Sequence, residues 1–257
     1  MTVSYTVYGI RTPLITRGAD LAGILIDAVT GTGAEEFRNG DVLVVAETAV
    51  STAEGSVIPL EGIEPDEESI RLSRQYSLDP RLVQCIREES DEIVGGIPGF
   101  LLCMKHGTLL PNAGIDESNA PPGCVSPLPR DPDGSAARLM HEIRRRTGAR
   151  VGVIIADSRT HPMRVGCSGV AIGCAGITPV IDARGRRDLF GKELHVTRQA
   201  LADNIASAAE IVMGEADEST PCALIRGLDI PVTDTCGIET IDASECLFMG
   251  LLREKDR

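Results

Sequence analysis

Three segments of this chain carry carboxylates where elements end. Asp116 lies in a glycine-containing loop among polar neighbours. Asp157 follows an apolar, β-branched run directly, and Glu215 and Asp217 come just after a helix-ending glycine, Gly214. Acids on loops at element ends are how proteins hold hard divalent cations, which want oxygen ligands. Two such ions can bridge nucleotide phosphates and neutralise charge as it develops. The chain has 38 acidic residues, and most acids sit on solvated faces, so the pattern names candidates and leaves their convergence to the fold. His161 lies shortly after Asp157. A single histidine is more often a hydrogen-bonded structural residue than a catalyst, but beside a metal loop its near-neutral titration is useful.

The elements that must position these groups are legible from pattern. Val3 to Tyr8 alternates like a strand. Asp20 opens a helix through Leu21, Ile24, Leu25 and Ala28 that Gly31 and Gly33 close. The run DVLVVA (Asp41–Ala46) reads as a buried strand that ends on Glu47 and Thr48, and VGVIIA (Val151–Ala156) as a second that delivers Asp157 and Ser158. Acid at Glu64 to Glu68 suits a helix start. Asp79-Pro80 starts a helix expected to reach Val94, punctuated by Gly95 and Gly96, with a strand from Phe100 to Met104. Residues 107–134 read as a long proline-rich loop, of the kind that is usually functional. Ser135 to Arg146 is an amphipathic helix ended by Gly148. Val170 to Ile177 is small and apolar, and Gly169, Gly173 and Gly176 there allow close packing. Thr197 caps a helix through Leu201, Ile205, Ala208 and Val212 to Gly214; Cys222 to Arg226 is a strand; Ala243 to Leu252 is a C-terminal helix.

Composition narrows the class. At 257 residues the chain can bury a sizeable core, and its 42% apolar content is that of a globular protein. With no Trp and 3% aromatics, that core must rest on Val, Ile, Leu and Ala. A net charge of −13 disfavours non-specific nucleic-acid binding. The eight cysteines form no C-x-x-C pair or zinc spacing, there is no signal-peptide pattern and no run long enough to span a membrane, so a reducing cytoplasm is expected. No Walker A loop, no G-x-G-x-x-G after a strand, no nucleophile elbow and no H-E-x-x-H occurs, which argues against P-loop kinases, Rossmann dehydrogenases, α/β-hydrolases and zincins.

The runs NAGIDESN (Asn112–Asn119), PLPRDPDGSA (Pro127–Ala136), TGARVGVIIADS (Thr147–Ser158), GVAIG (Gly169–Gly173) and MGEAD (Met213–Asp217) resemble the coenzyme F420-0:L-glutamate ligase family in order and spacing. GIRTPLI (Gly9–Ile15), GDVLVVAET (Gly40–Thr48) and AEG (Ala53–Gly55) extend the likeness forward, to nearly the whole chain up to about residue 230. The resemblance implies an α+β fold: a two-part α/β unit with mixed and antiparallel sheets, one ligase unit over residues 1–257, forming an intertwined homodimer. It implies GTP-dependent amide formation, adding L-glutamate to the carboxylate of F420-0 through an acyl phosphate, with Mn2+ or Mg2+. Carried over, Asp116, Asp157, Ser158 and Glu215 would be metal ligands. Asn119, the loop Gly9, Ile10, Arg11, Pro13 and Leu14, Thr48, and the segment from Gly214 through Asp217 to Pro221 would touch nucleotide.

The chain departs from the family pattern at two places. Thr52 stands where the family usually has a lysine that would neutralise phosphate; Arg11 is the candidate replacement, with different geometry. After Asp157 the family pattern Asp-Thr-x-Gly-Arg becomes Asp157-Ser158-Arg159-Thr160-His161, which keeps a hydroxyl but changes the loop. Arg164 matches a downstream family arginine and is a candidate for an anionic substrate, or else a surface ion pair. Three other readings remain: a paralogous amide ligase acting on another small carboxylate, a silent nucleotide- or deazaflavin-binding protein, and a metal-dependent phosphohydrolase.

Overall fold

A computed structural model describes residues 4–249. The chain divides into two compact units, one of residues 4–55 and 129–238 and one of residues 56–128 and 239–249. It enters the first unit with β1 (Thr6–Ile10), α1 (Leu21–Thr30), β2 (Val42–Ala46) and α2 (Glu47–Glu54). It builds the second with β3 (Ile58–Pro59), α3 (Glu67–Tyr76), α4 (Pro80–Glu89), β4 (Glu92–Ile97), β5 (Phe100–Lys105), β6 (Thr108–Pro111), a 3-10 turn (Asn112–Gly114) and β7 (Cys124–Val125). It returns with α5 (Pro132–Thr147), β8 (Gly152–Thr160), β9 (Cys167–Ala175), β10 (Val180–Asp182), β11 (Arg198–Ala200), α6 (Leu201–Met213) and β12 (Cys222–Arg226). This is a mixed α/β architecture with several sheets, compatible with the expected α+β class.

The first unit is a five-stranded mixed sheet in the order β1-β12-β2-β8-β9. Only β2 and β8 pair in parallel; the other neighbours are antiparallel. Both central strands are continuous apolar runs because helices cover both faces. Leu43, Val45, Val153 and Ile155 pack with α1, α2 and α5, while Val42, Val44 and Ile154 pack with α6. Asp20 caps α1, Asp131 caps α5, and Gly148 ends α5 in the left-handed region at φ 79°.

A bulge between Ile155 and Ala156 inserts Ile172 into β9. It turns Gly173 toward the first turn of α5, where a Cβ would strike the Pro132 backbone, and leaves Gly169 against α6, where a Cβ would lie 2.5 Å from the Ala206 carbonyl oxygen. These glycines are therefore needed for close packing. β9 is an edge strand, and α6 covers its open side: Asp203 accepts from the Ala171 N–H at 2.9 Å and Ser207 donates to the Gly169 carbonyl at 2.8 Å.

The second unit packs α3 and α4 on the antiparallel sheet β4-β5-β6, with Leu72, Val83, Ile86, Leu101 and Cys103 in its core. Asp66 and Asp79 cap its two helices.

Several expectations are corrected. α4 stops at Glu89, not Val94, because the next residues form β4, in which Gly96 leaves room for Tyr76 and the Phe100 carbonyl. The segment 107–134 holds β6, the 3-10 turn, β7 and the start of α5 and is not one loop. Thr197 does not cap α6: Arg198–Ala200 pair with β10, and the helix begins after Ala200 without a side-chain cap. The first strand runs from Thr6 to Ile10, Val3 lying outside the described residues. Of the expected C-terminal helix, residues 243–246 are not helical, with a turn at 243–245, residues 247–249 are helical, and the part from residue 250 is outside the described residues.

Candidate active site

Strand register brings four of the singled-out segments of the first unit to one end of its sheet. Ile10 at the end of β1 pairs with Cys222 at the start of β12, Cys222 with Val45, and Ala46 with Ala156. The loop after β1, the segment before β12, the N-terminus of α2 and the polar continuation of β8 therefore leave the sheet side by side. The first two touch. The Thr12 N–H donates to the Ser219 carbonyl at 3.1 Å, and a Cβ on Gly9 would lie 3.0 Å from the Val212 carbonyl oxygen. Gly214 (φ 76°) turns the chain out of α6, and the Glu218 carboxylate folds back to accept from the Ala216 N–H at 2.8 Å. That N–H holds Glu218 below the usual carboxylate range. Asp217 is exposed.

Thr48 and Thr52 lie one turn apart on α2. That helix starts directly at the end of β2 with no side-chain cap, and a helix N-terminus suits an anion. Arg11, Pro13 and Leu14 are exposed, and Arg11 makes no hydrogen bond or ion pair among the described residues.

Asp157 does not follow a strand; it is inside one. β8 continues to Thr160, with Asp157 opposite Val170 and Ser158 opposite Gly169. Strand alternation sends these two side chains to opposite faces. On one, Asp157 Oδ2 accepts from Arg159 Nε at 2.8 Å. On the other, Ser158 bonds to Cys167, whose thiol is pushed up by burial and by the charges of Glu215 and Glu210. Glu210 and Glu215 share a hydrogen bond, and Asp157 is near enough to act on both Glu210 and Cys167. Burial first, then Glu215, push the Glu210 carboxyl up to about 8. The turn after β8 carries His161, whose Nε2 meets Ser168 Oγ at 2.7 Å, and Arg164, exposed at the tip.

In the second unit Asp116 faces Ser126 across an isolated antiparallel bridge. Its carboxylate accepts from the Ser118 N–H at 2.9 Å and from the Ser118 hydroxyl. Ser126 is 2% exposed, and its Oγ is the one buried side-chain polar atom without a partner among the described residues. Asn119 is exposed with φ 54°, so its side chain projects from a strained turn.

Comparison with known proteins decides the family. The description F420-0:Gamma-glutamyl ligase matches residues 9–227. The chain belongs to this ligase family. It is 45% identical over 216 residues to the coenzyme F420:L-glutamate ligase of Methanothermobacter thermautotrophicus, covering 84% of this chain and 85% of that one. It is 47% identical over 215 residues to the protein of the same name from Methanopyrus kandleri, covering 83% of each. A third such ligase, from Methanococcus maripaludis strain C6, is 40% identical over 244 residues, 95% of this chain and 96% of that one. As a member of the F420-0:gamma-glutamyl ligase family, the chain is an enzyme that forms a carbon–nitrogen bond. No helix among the described residues is long and apolar enough to cross a membrane.

Each unit taken by itself carries oxygen donors hard enough for a divalent cation: Asp157, Ser158 and Glu215 in the first, and, separately, Asp116 and the Ser126 hydroxyl in the second. Among the described residues no three His, Cys, Asp or Glu side chains already form a cation cage.

Sequence reasoning missed Glu210, Cys167, Arg159 and Ser126. One signal was available for Glu210: a carboxylate in the last turn of α6, with no basic residue there, opposes the helix dipole and calls for another reason to be present. Arg159 was quoted only as part of a motif, although an arginine two residues after an acid on a strand shares its face.

Proposed function

We propose that this enzyme adds L-glutamate to the carboxylate of F420-0 at the expense of GTP. The observation that supports it best is the likeness, at 45–47% identity over most of the chain, to relatives named coenzyme F420:L-glutamate ligase. A carboxylate is a poor acylating agent, so the route runs through an acyl phosphate, which the glutamate amine then attacks. Phosphoryl transfer asks mainly for positioning and charge neutralisation.

Asp157, Ser158 and Glu215 are the proposed holders of Mn2+ or Mg2+ in the first unit; when bound, the cation screens phosphoryl charge. The roles proposed for Asp116 as a further ligand and Asn119 as a nucleotide contact rest on the family resemblance. The start of α2 at Thr48, which has no side-chain cap, the end of β1 and the loop after it (Gly9–Leu14) and the turn at Gly214–Asp217 are the proposed nucleotide-contacting segments. His161, tied to Ser168, shapes the turn that presents Arg164. Thr52 leaves the neutralising cation to Arg11.

The partner in solution is a second copy of the chain. Met163 and Val165 at the β8–β9 turn, and Leu189 and Phe190 in the arm between β10 and β11, are fully exposed apolar side chains, which is costly unless another surface covers them.

Release of phosphate from GTP tests the reaction. It should require F420-0, L-glutamate and Mn2+ together. GTP turnover without the amine acceptor would instead mark a phosphohydrolase, and turnover with a different carboxylate a paralogous ligase.

A further inference from the structure

Arg159 occupies an unusual position. Its side chain is 10% exposed, although it stands on the polar continuation of β8. Two residues from Asp157 on the same strand, it shares that residue's face, and its Nε donates to Asp157 Oδ2 at 2.8 Å. A guanidinium carries five N–H donors in a fixed fork. This bond uses one. Among the described residues, neither terminal nitrogen of Arg159 donates to a protein acceptor. Nor are these nitrogens sealed in, since Ser126 Oγ is the one buried side-chain polar atom that lacks a partner. The stem is therefore enclosed while the open side of the fork reaches the surface beside Asp157.

A cation enclosed in this way, with donors unused, is set for an acceptor that the protein does not itself supply. We propose that Arg159 is a receptor for an oxyanion of the substrates, a phosphoryl or carboxylate group taken end-on by its two terminal nitrogens while Nε keeps Asp157 in place. This rests on the reading of Asp157 as a metal ligand in the ligase reaction. Planar, two-pronged recognition explains why arginine stands here, because a lysine ammonium could hold Asp157 or the anion but not both in one geometry.

The local charge sets a condition. Arg159 faces the Asp157 carboxylate, and Asp157 together with Glu215 acts on Glu210. An oxyanion is repelled from that surroundings until a divalent cation is bound, so anion binding through Arg159 depends on Mn2+.

Calorimetric titration separates the two sources of the anion. A non-hydrolysable GTP analogue and L-glutamate are titrated in turn into the Mn2+-loaded wild type, Arg159→Gln and Arg159→Lys. Mn2+ affinity is followed in parallel by electron paramagnetic resonance and folding by thermal unfolding. Arg159→Lys keeps a cation beside Asp157 if the glutamine variant fails to fold. The expected result is a loss of about tenfold or more for one of the two ligands, as for other charge-assisted hydrogen bonds, at saturating Mn2+ and well beyond any loss of Mn2+ affinity. A loss for the nucleotide analogue identifies a phosphoryl group, and a loss for glutamate identifies a carboxylate. Unchanged affinity for both, or a loss that only tracks weaker Mn2+ binding, would overturn the proposal and leave Arg159 a brace for Asp157. Neither readout uses turnover. A wild type that makes no glutamyl product but loses anion affinity on Arg159→Gln sinks the ligase reading alone, and the reverse pattern sinks this inference alone.

Discussion

Replacing Glu210 by glutamine tests whether the end of α6 is built around a cation. Glu210 is half-buried, bonded to Glu215, reached by the Gly169 N–H and in the field of Asp157, and its carboxyl is pushed up to about 8 from an ordinary 4.5, mostly by burial. A raised value means that the folded state holds the proton more tightly than the unfolded chain. The associated stability is complete below pH 4.5 and is lost as pH climbs through about 8. The full difference corresponds to about 5 kcal/mol at about 1.4 kcal/mol per pH unit. Glu210 keeps much of its contact with water, and screening reduces this to about 2 kcal/mol. In a chain of this size that is about 4–8 °C in Tm. Scanning calorimetry in chelator, from about pH 5 to about pH 8.5, measures it. The wild type should lose about 4–8 °C relative to Glu210→Gln across that window. Adding Mn2+ should close the gap, because a bound cation neutralises the Glu210–Glu215 pair. Parallel Tm curves for the two proteins in chelator would refute the reasoning.

Three further outcomes follow from the packing and the orphaned groups. Gly169→Ala places a methyl 2.5 Å from the Ala206 carbonyl oxygen, so urea denaturation should show a loss of about 1–3 kcal/mol; an unchanged midpoint would mean that α6 moves freely on β9. Ser126→Ala removes a buried hydroxyl that has no hydrogen-bond partner among the described residues, so stability should hold within about 0.5 kcal/mol or rise, while Mn2+ affinity measured by resonance titration should fall; unchanged affinity would take Ser126 out of the proposed cation-binding residues of the second unit. Val165→Asp with Phe190→Asp should convert a dimer to monomers in light scattering at unchanged helix content, and a wild type that is already monomeric contradicts the covering role given to these side chains.

The parts of the fold written in local chemistry were legible in the sequence. Asp20, Asp79 and Gly148 mark helix ends because caps act over one turn, and the two buried strands announce themselves as unbroken β-branched runs because both faces are covered. What failed was decided by pairing over distance. Arg198–Ala200 have no strand signature of their own and become one only because β10 pairs with them. Gly95 and Gly96 look like helix breakers until β5 supplies a partner. The site followed the same division. Asp157 and Ser158 were found from the strand that carries them, but β8 outlasts its apolar run, because the antiparallel β9 continues to pair with it as far as Thr160 and Cys167. That extension puts Arg159 on the face of Asp157 and Cys167 beside Ser158, neither of which spacing alone reveals. Glu210 joins Glu215 because Gly214 turns the chain back at the end of α6.

The central claim is that this family member joins L-glutamate to F420-0. The most direct measurement is the mass of the deazaflavin recovered after incubation of the folded protein with F420-0, L-glutamate, GTP and Mn2+. The account predicts a product heavier by one or more glutamyl residues, formed only when all four are present and absent with Asp157→Asn. Recovery of F420-0 at unchanged mass from folded, metal-loaded protein would contradict it.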